Sequence, residues 1–264
     1  MMAGIVRQDL SRKVAIITGG AQGIGKAFSV AFLQRGGKVM IGDLQPTVGS
    51  DTCSELQSKF GKANVAFTQV DVTDHDQLDE MYRLTLRKFS RLDVVVNNAG
   101  VGFEVENSAP DWWRKTVAIN LTALIDSTYL AKYYMSSEKG GSGGVVVNIA
   151  SMGGLQAMPF SPTYSASKHG VIGFTRATEF WPAQYGVSVY AICPGFVQTD
   201  MLKSGMENEA FSDIVQARGV LTPERIAEGF IQLLDERPDS GQVMRVTVQK
   251  GIDYQKYRVP KAKL

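Results

Sequence analysis

The stretch Val14-Ala15-Ile16-Ile17-Thr18-Gly19-Gly20-Ala21-Gln22-Gly23-Ile24-Gly25 decides the fold. Its first five residues are apolar or β-branched with no polar alternation, which predicts a strand buried on both faces. Glycines follow at once and open a helical pattern. In such a turn glycine lets the backbone approach a pyrophosphate without a Cβ collision. The helix N-terminus then offers N–H groups and the positive end of its dipole. Gly19, Gln22, Gly23, Ile24 and Gly25 are therefore candidate dinucleotide-binding positions, the competing reading being a tight turn with no ligand.

Six further apolar runs lie downstream: Lys38–Gly42, Asn64–Gln69, Val94–Asn97, Val145–Ile149, Val187–Ile192 and Met244–Val248. Between them, Gln77–Phe89 and Asp111–Met135 place apolar residues three and four apart, as amphipathic helices do. Asp74 and Asp111 are their expected N-caps. This alternation predicts one doubly wound α/β domain of about seven parallel strands with helices on both faces, binding ligands at the carboxyl edge of the sheet. The domain spans 1–264, with 1–11 as an N-terminal extension and 253–264 as a C-terminal tail.

The 264 residues are 44% hydrophobic and 20% charged, with a net charge of +2, so nothing calls for nucleic acid or an anionic membrane as partner. Cys53 and Cys193 are too few for a disulfide framework or a thiolate metal site, and His75 and His169 form no ligand pattern. No metal is expected. No run approaches the ~18 apolar residues of a membrane span. The terminal Ala262-Lys263-Leu264, with Arg258 and Lys261 upstream, is similar to a Ser-Lys-Leu peroxisomal address. A frayed basic tail and a cytoplasmic location are the alternative.

Asp43 ends the second strand, 18 residues beyond Gly25. A carboxylate there accepts hydrogen bonds from the ribose hydroxyls of NAD and repels the extra phosphate of NADP. Capping its own loop is the structural alternative. Asp71 and Val72, at the end of the third strand, are candidates for the adenine. Asn98, Ala99 and Gly100, after Asn97, are small enough to pass close to a cofactor. Pro194, Gly195, Val197 and Thr199, beyond the sixth strand, are candidates for the nicotinamide end.

Tyr164 and Lys168 are four residues apart and share a helix face. A tyrosine that titrates near about 10 is a poor base at neutral pH, and a nearby ammonium favours its phenolate. The pair suits transfer of an alcohol proton to Tyr164 while hydride moves to a nicotinamide. Ser151, 13 residues before Tyr164, is placed to bind the substrate oxygen. Asn120 interrupts the apolar Val117-Ala118-Ile119-Asn120-Leu121. It is expected either to bend its helix and hold a relay water or to face solvent.

Over residues 11–252 the sequence resembles the short-chain dehydrogenase/reductase family, through Thr18–Gly25, Asn97–Gly100, Asn120, Ser151, Tyr164-x-x-x-Lys168 and Pro194-Gly195. The resemblance implies a Rossmann fold and an Asn120–Ser151–Tyr164–Lys168 tetrad. It also implies that Lys168 holds the nicotinamide ribose. Helices carrying Asn120 and Tyr164 would pair across subunits in a homodimer or homotetramer. Two departures fall at the substrate end: Ser161 stands where the most similar sequences carry glutamine, and Met201–Leu221 is unlike theirs. The expected activity is NAD-dependent interconversion of a lipophilic secondary alcohol and its ketone. Phe103, Phe160, Phe196, Met201, Met206 and Phe211 would line an apolar pocket under a 20-residue loop. The alternatives are a peroxisomal dehydrogenase of hydroxylated fatty acyl or aromatic compounds, and a non-catalytic NAD-binding partner subunit. Trp112, Trp113, Trp181 and Cys193 are expected to pack, and Pro182 to end or kink its helix.

Overall fold

The computed structural model describes residues 7–102, 110–159 and 161–257. Phe103, Phe160, Arg258, Lys261 and the tripeptide Ala262-Lys263-Leu264 lie outside them. All five residues of β1 (Val14–Thr18) are buried, as an unbroken apolar strand requires. It lies between β2 (Lys38–Asp43) and β4 (Val94–Asn97). β3 (Val65–Gln69) pairs with β2. β5 (Gly144–Ile149), β6 (Val187–Pro194) and β9 (Val243–Thr247) extend the sheet beyond β4. These seven strands run parallel.

The sheet holds one strand more than the sequence pattern indicates. Gly251–Tyr254, here β10, pairs antiparallel with β9 at the edge, so residues 253–254, expected to begin a tail, belong to the sheet. Asp253 lies directly across from Arg245, and the two form an ion pair. The full order is β10-β9-β6-β5-β4-β1-β2-β3. Chain direction across the sheet reverses between β1 and β4, which opens a crevice at their carboxyl ends.

Alternate strand residues point to opposite faces, so each face acquires its own core. On one face Ile17, Ile41, Val94 and Val96 meet Phe28 and Phe32 of α1 (Gly23–Gln34), Leu56 of α2 (Pro46–Phe60) and Phe230 of α10 (Pro223–Glu236). On the other, Ile16, Met40 and Val95 meet Leu78, Met81 and Tyr82 of α3 (His75–Phe89). The Asp74 side chain caps α3 by accepting from Asp76 and Gln77 N–H groups.

Asp111 takes the N-cap position of α4 (Trp112–Val117), but its side chain makes no capping bond. Its backbone (φ −103°, ψ 5°) is not the extended one that aims a cap oxygen at the first N–H groups. From α4 the helix passes through a π turn, Ala118–Thr122, into α5 (Ala123–Met135). Trp113 is 46% exposed rather than packed. After α6 (Pro162–Ala177), Pro182 sits in the first turn of a separate short helix, α7 (Trp181–Tyr185), where its missing N–H costs nothing.

The segment expected as a loop lid is helical: α8 (Asp200–Gly205) and α9 (Glu209–Arg218). Two short parallel strands, β7 (Phe196–Val197) and β8 (Val220–Leu221), close its base. Leu202, Phe211 and Val215 give it a small core of its own, against Met158 and Phe196. No helix among the described residues is long and apolar enough to cross a membrane.

Phe230 is fully buried, with its ring 5.0 Å from that of Phe28 and 6.3 Å from that of Phe32. Phe230→Ala should lower stability by about 3–5 kcal/mol, seen as a lower urea midpoint with an unchanged slope.

Candidate active site

The crevice is built from loops joined across the switch point. Thr18 Oγ1 accepts the backbone N–H groups of Asn98 and Ala99, each at 3.1 Å. Asn98 Nδ2 donates back to the Thr18 and Gly19 carbonyls at 3.0 and 2.9 Å. This contact leaves no room for side chains. Gly19 has φ +60°, and a Cβ there would lie 2.9 Å from Ala99 Cα; one on Gly25 would lie 2.1 Å from the Gly19 carbonyl oxygen. Gln22 precedes α1 in an extended conformation without a side-chain cap, and no acid stands in the first turn of α1. Its first N–H groups are thus arranged to receive an anion. Thr199, just before α8, lies against Gly23.

Asp43 is only 7% exposed, and its two oxygens accept the N–H groups of Ala21 and Gln45, each at 3.1 Å. The loop-capping role is therefore present, and these bonds hold the carboxylate beside the glycine turn. Asp71 and Val72 lie past the end of β3, which stops at Gln69, rather than within it. Asp71 Oδ1 is held by Thr73 through its N–H and hydroxyl, at 2.9 and 2.7 Å.

Asn120 is fully buried in the π turn and does not face solvent. Its Oδ1 accepts the Val101 N–H at 2.8 Å, and its Nδ2 donates to the Val101 carbonyl at 3.0 Å. The amide thus clamps the chain just after Gly100. A Cβ on Gly100 would sit 3.2 Å from Asn120 Oδ1 and 3.7 Å from Lys168 Nζ, so these groups converge on one point. Both polar ends of the Asn120 side chain bond Val101 rather than standing ready for a water alone.

Ser151 follows β5 and caps a short 3-10 turn, its Oγ accepting the Gly153 N–H at 3.0 Å. The same hydroxyl hydrogen-bonds the Tyr164 phenol. One turn along α6, Lys168 Nζ donates to the Ile149 carbonyl at 2.8 Å and lies 5.7 Å from the Tyr164 ring centre. Burial governs both groups: it pushes the Tyr164 phenol above its ordinary value, partly opposed by the Ser151 bond, and pulls Lys168 down to about 8. This corrects the expectation that the ammonium simply makes the phenol acidic. Behind them lies the thiol of Cys193, fully buried and pushed up to about 12 by burial, hence inert packing rather than a nucleophile.

A cavity of 590 Å³ opens over Tyr164. Ile24, Asn98 and Gly100 line it from the cofactor loops, and Ser151, Tyr164 and Lys168 from β5 and α6. Pro194, Gly195, Val197 and Thr199 line it from the segment after β6. Asp43, Asp71, Val72, Ala99 and the remaining turn residues lie outside it, along the carboxyl edge. Phe196, Met201 and Phe211 supply apolar wall, whereas Met206, 37% exposed, is not part of it. Gln156, Arg218, Arg245 and Lys250 also line the cavity. Their local sequence carries no sign of this: Gln156 arrives on the segment after the 3-10 turn, Arg218 on the end of α9, Arg245 on β9 and Lys250 on the β9–β10 turn.

The short chain dehydrogenase family profile matches residues 13–210. This chain is a short-chain dehydrogenase. It is 40% identical over 257 residues to the Homo sapiens protein named 15-hydroxyprostaglandin dehydrogenase [NAD(+)], covering 93% of this chain and 94% of that one. A Synechocystis 3-oxoacyl-[acyl-carrier-protein] reductase is 33% identical, over 89% of this chain and 93% of its own length. Among solved structures, levodione reductase superposes with a TM-score of 0.80 at 27% identity, covering 89% and 96% of the two chains.

In this short-chain dehydrogenase the Lys168 environment has a measurable consequence. Between about 8 and the ordinary 10.5, Lys168 is protonated in the unfolded chain and neutral in the folded one. Protons therefore favour unfolding in that window, and wild-type stability should rise with pH through it relative to Lys168→Met. Urea midpoints of the two proteins at pH 7.5, 9 and 10.5, roughly the edges and centre of the window, check this; parallel profiles would refute it.

Proposed function

We propose that this enzyme oxidises a lipophilic secondary alcohol to its ketone, with Tyr164 as the acid/base. It is an oxidoreductase acting on CH–OH donors, with NAD as cofactor. The observation that carries the finer reading is the Ser151–Tyr164 hydroxyl pair at the wall of a largely apolar cavity, with Lys168 Nζ 5.7 Å from the ring. Two hydroxyls converging on one point suit the oxygen of an alcohol: Ser151 orients it and Tyr164 accepts its proton.

The residues present fit a dinucleotide. Gly19, Gln22, Gly23, Ile24 and Gly25 would hold its pyrophosphate against the uncapped start of α1. Asp43 keeps further acceptor capacity beyond its two backbone bonds and would hold the adenosine ribose, with Asp71 and Val72 beside the adenine. Asn98, Ala99 and Gly100 would pass beneath the nicotinamide ribose. Pro194, Gly195, Val197 and Thr199 would shape the nicotinamide end. When bound, NAD supplies the hydride acceptor and a positively charged ring. Lys168 spends one N–H on Ile149 and keeps others for the ribose and for drawing the Tyr164 proton outward. Asn120 is a positioning residue, holding Val101 and the π turn against Lys168.

A homodimer, or a homotetramer, through α5 and α6 is part of this proposal. Tyr129 and Tyr133 stand about half exposed one turn apart on α5, and Tyr129 packs on Phe174 of α6. Light scattering of the purified protein should give at least twice the 28.8 kDa chain mass; a monomer at micromolar concentration would remove this element.

The deciding experiment is NADH formation from a panel of secondary alcohols by wild type and Tyr164→Phe. Loss of about 10²–10⁴-fold in kcat with NAD affinity retained is expected. If both proteins bound NAD and neither turned over any alcohol, the chain would be a non-catalytic NAD-binding subunit. A preference for NADP would overturn the role given to Asp43.

A further inference from the structure

The cavity is uneven in charge. Among the described residues its wall carries Lys168, Arg218, Arg245 and Lys250 and no Asp or Glu, in a chain whose 28 bases and 26 acids nearly balance. Two of these cations are already engaged. Lys168 serves Tyr164 and Ile149, and the Arg245 guanidinium is paired with Asp253 and Gln255. The other two are not neutralised: among the described residues no ion pair reaches Arg218 or Lys250.

Their chain segments also adjoin. Arg218 ends α9, and its Nη1 donates to the neutral Gln156 Oε1 at 2.9 Å. Gln249 Nε2 donates to the Arg218 carbonyl at 2.5 Å, which draws the β9–β10 turn, with Lys250, against the end of α9. Phe196, Met201, Phe211 and Leu221 supply apolar wall to the same cavity. An arginine at a helix C-terminus interacts favourably with the helix dipole. That role accounts neither for the exposed side-chain bond to Gln156 nor for a second cation, Lys250, on the wall of the same cavity.

We propose that the substrate is an amphipathic hydroxy acid whose alcohol meets Tyr164 and whose carboxylate meets Arg218 and Lys250. This deepens the dehydrogenase reading and rests on it. A guanidinium fork matches a carboxylate, and a rim pair of this kind acts through affinity and steering, so it weakens as salt rises. Arg218 and Lys250 are then specificity-determining residues, remote from the reacting atoms.

The test uses secondary hydroxy fatty acids with the hydroxyl moved stepwise from the carboxylate, each assayed beside its methyl ester. Wild type, Arg218→Gln, Lys250→Gln, the double variant and Arg218→Lys are compared by NADH formation. Wild type should favour the best-spaced acid over its ester by about tenfold in kcat/KM, carried in KM and shrinking with added salt. The ratio should fall toward one in the double variant and be largely kept by Arg218→Lys. Equal use of acid and ester by wild type, or a loss in the variants that falls equally on both, would overturn the proposal and leave the dehydrogenase reading standing. Failure of wild type to reduce NAD with any acid, ester or simple alcohol would overturn that reading, and this proposal with it.

Discussion

The Thr18 hydroxyl, shared between the amides of Asn98 and Ala99, sets the separation of the two loops on which everything else rests. Because β1 and β4 diverge beyond this point, the bonds hold the crevice narrow at its base and open above. The glycine demand at Gly19 and Gly25 follows from that approach, since a Cβ would push the loops apart. So does the position of Gly100, which Asn120 then holds through Val101 and brings to within reach of Lys168. A chain of contacts thus runs from the first strand to the ammonium group.

Burial shapes the chemistry as strongly as proximity does. Tyr164 and Lys168 stand four residues apart, and both lie where charge is poorly solvated, so burial favours the neutral form of each. Ser151 works against this for the phenol alone, because its bond favours the ionised oxygen. At neutral pH the chain by itself therefore holds a neutral phenol beside a lysine that still carries its proton. The positive ring of a bound NAD would favour the phenolate further.

Much of this was legible in the sequence. Val14–Thr18 and Val94–Asn97 are strands residue for residue as their apolar runs indicate, because a strand buried on both faces has little freedom in composition. The glycine turn, the acid, Ser151 and Tyr164–Lys168, read in order from the sequence, are gathered by the fold along one edge of the sheet. What escaped was set by tertiary pairing. Gly251–Tyr254 is a strand only because β9 offers it an edge, and its four mixed residues carry no periodic signal. The partner of Asn120 lies 19 residues away across a loop, and spacing could not reveal it. The desolvation of Lys168 likewise comes from its surroundings rather than from its interval to Tyr164.

The π turn at Ala118–Thr122 has the form of a helix that has absorbed one extra residue. Removing a single residue there would restore ordinary winding, yet would rotate one half of the helix against the other by roughly 100°. Either Asn120 would swing away from Val101, or the α5 face that presents Tyr129 and Tyr133 would turn from α6. A local irregularity thus keeps two surfaces in phase, one turned inward to the site and one outward, and their spacing along the chain has little room to drift.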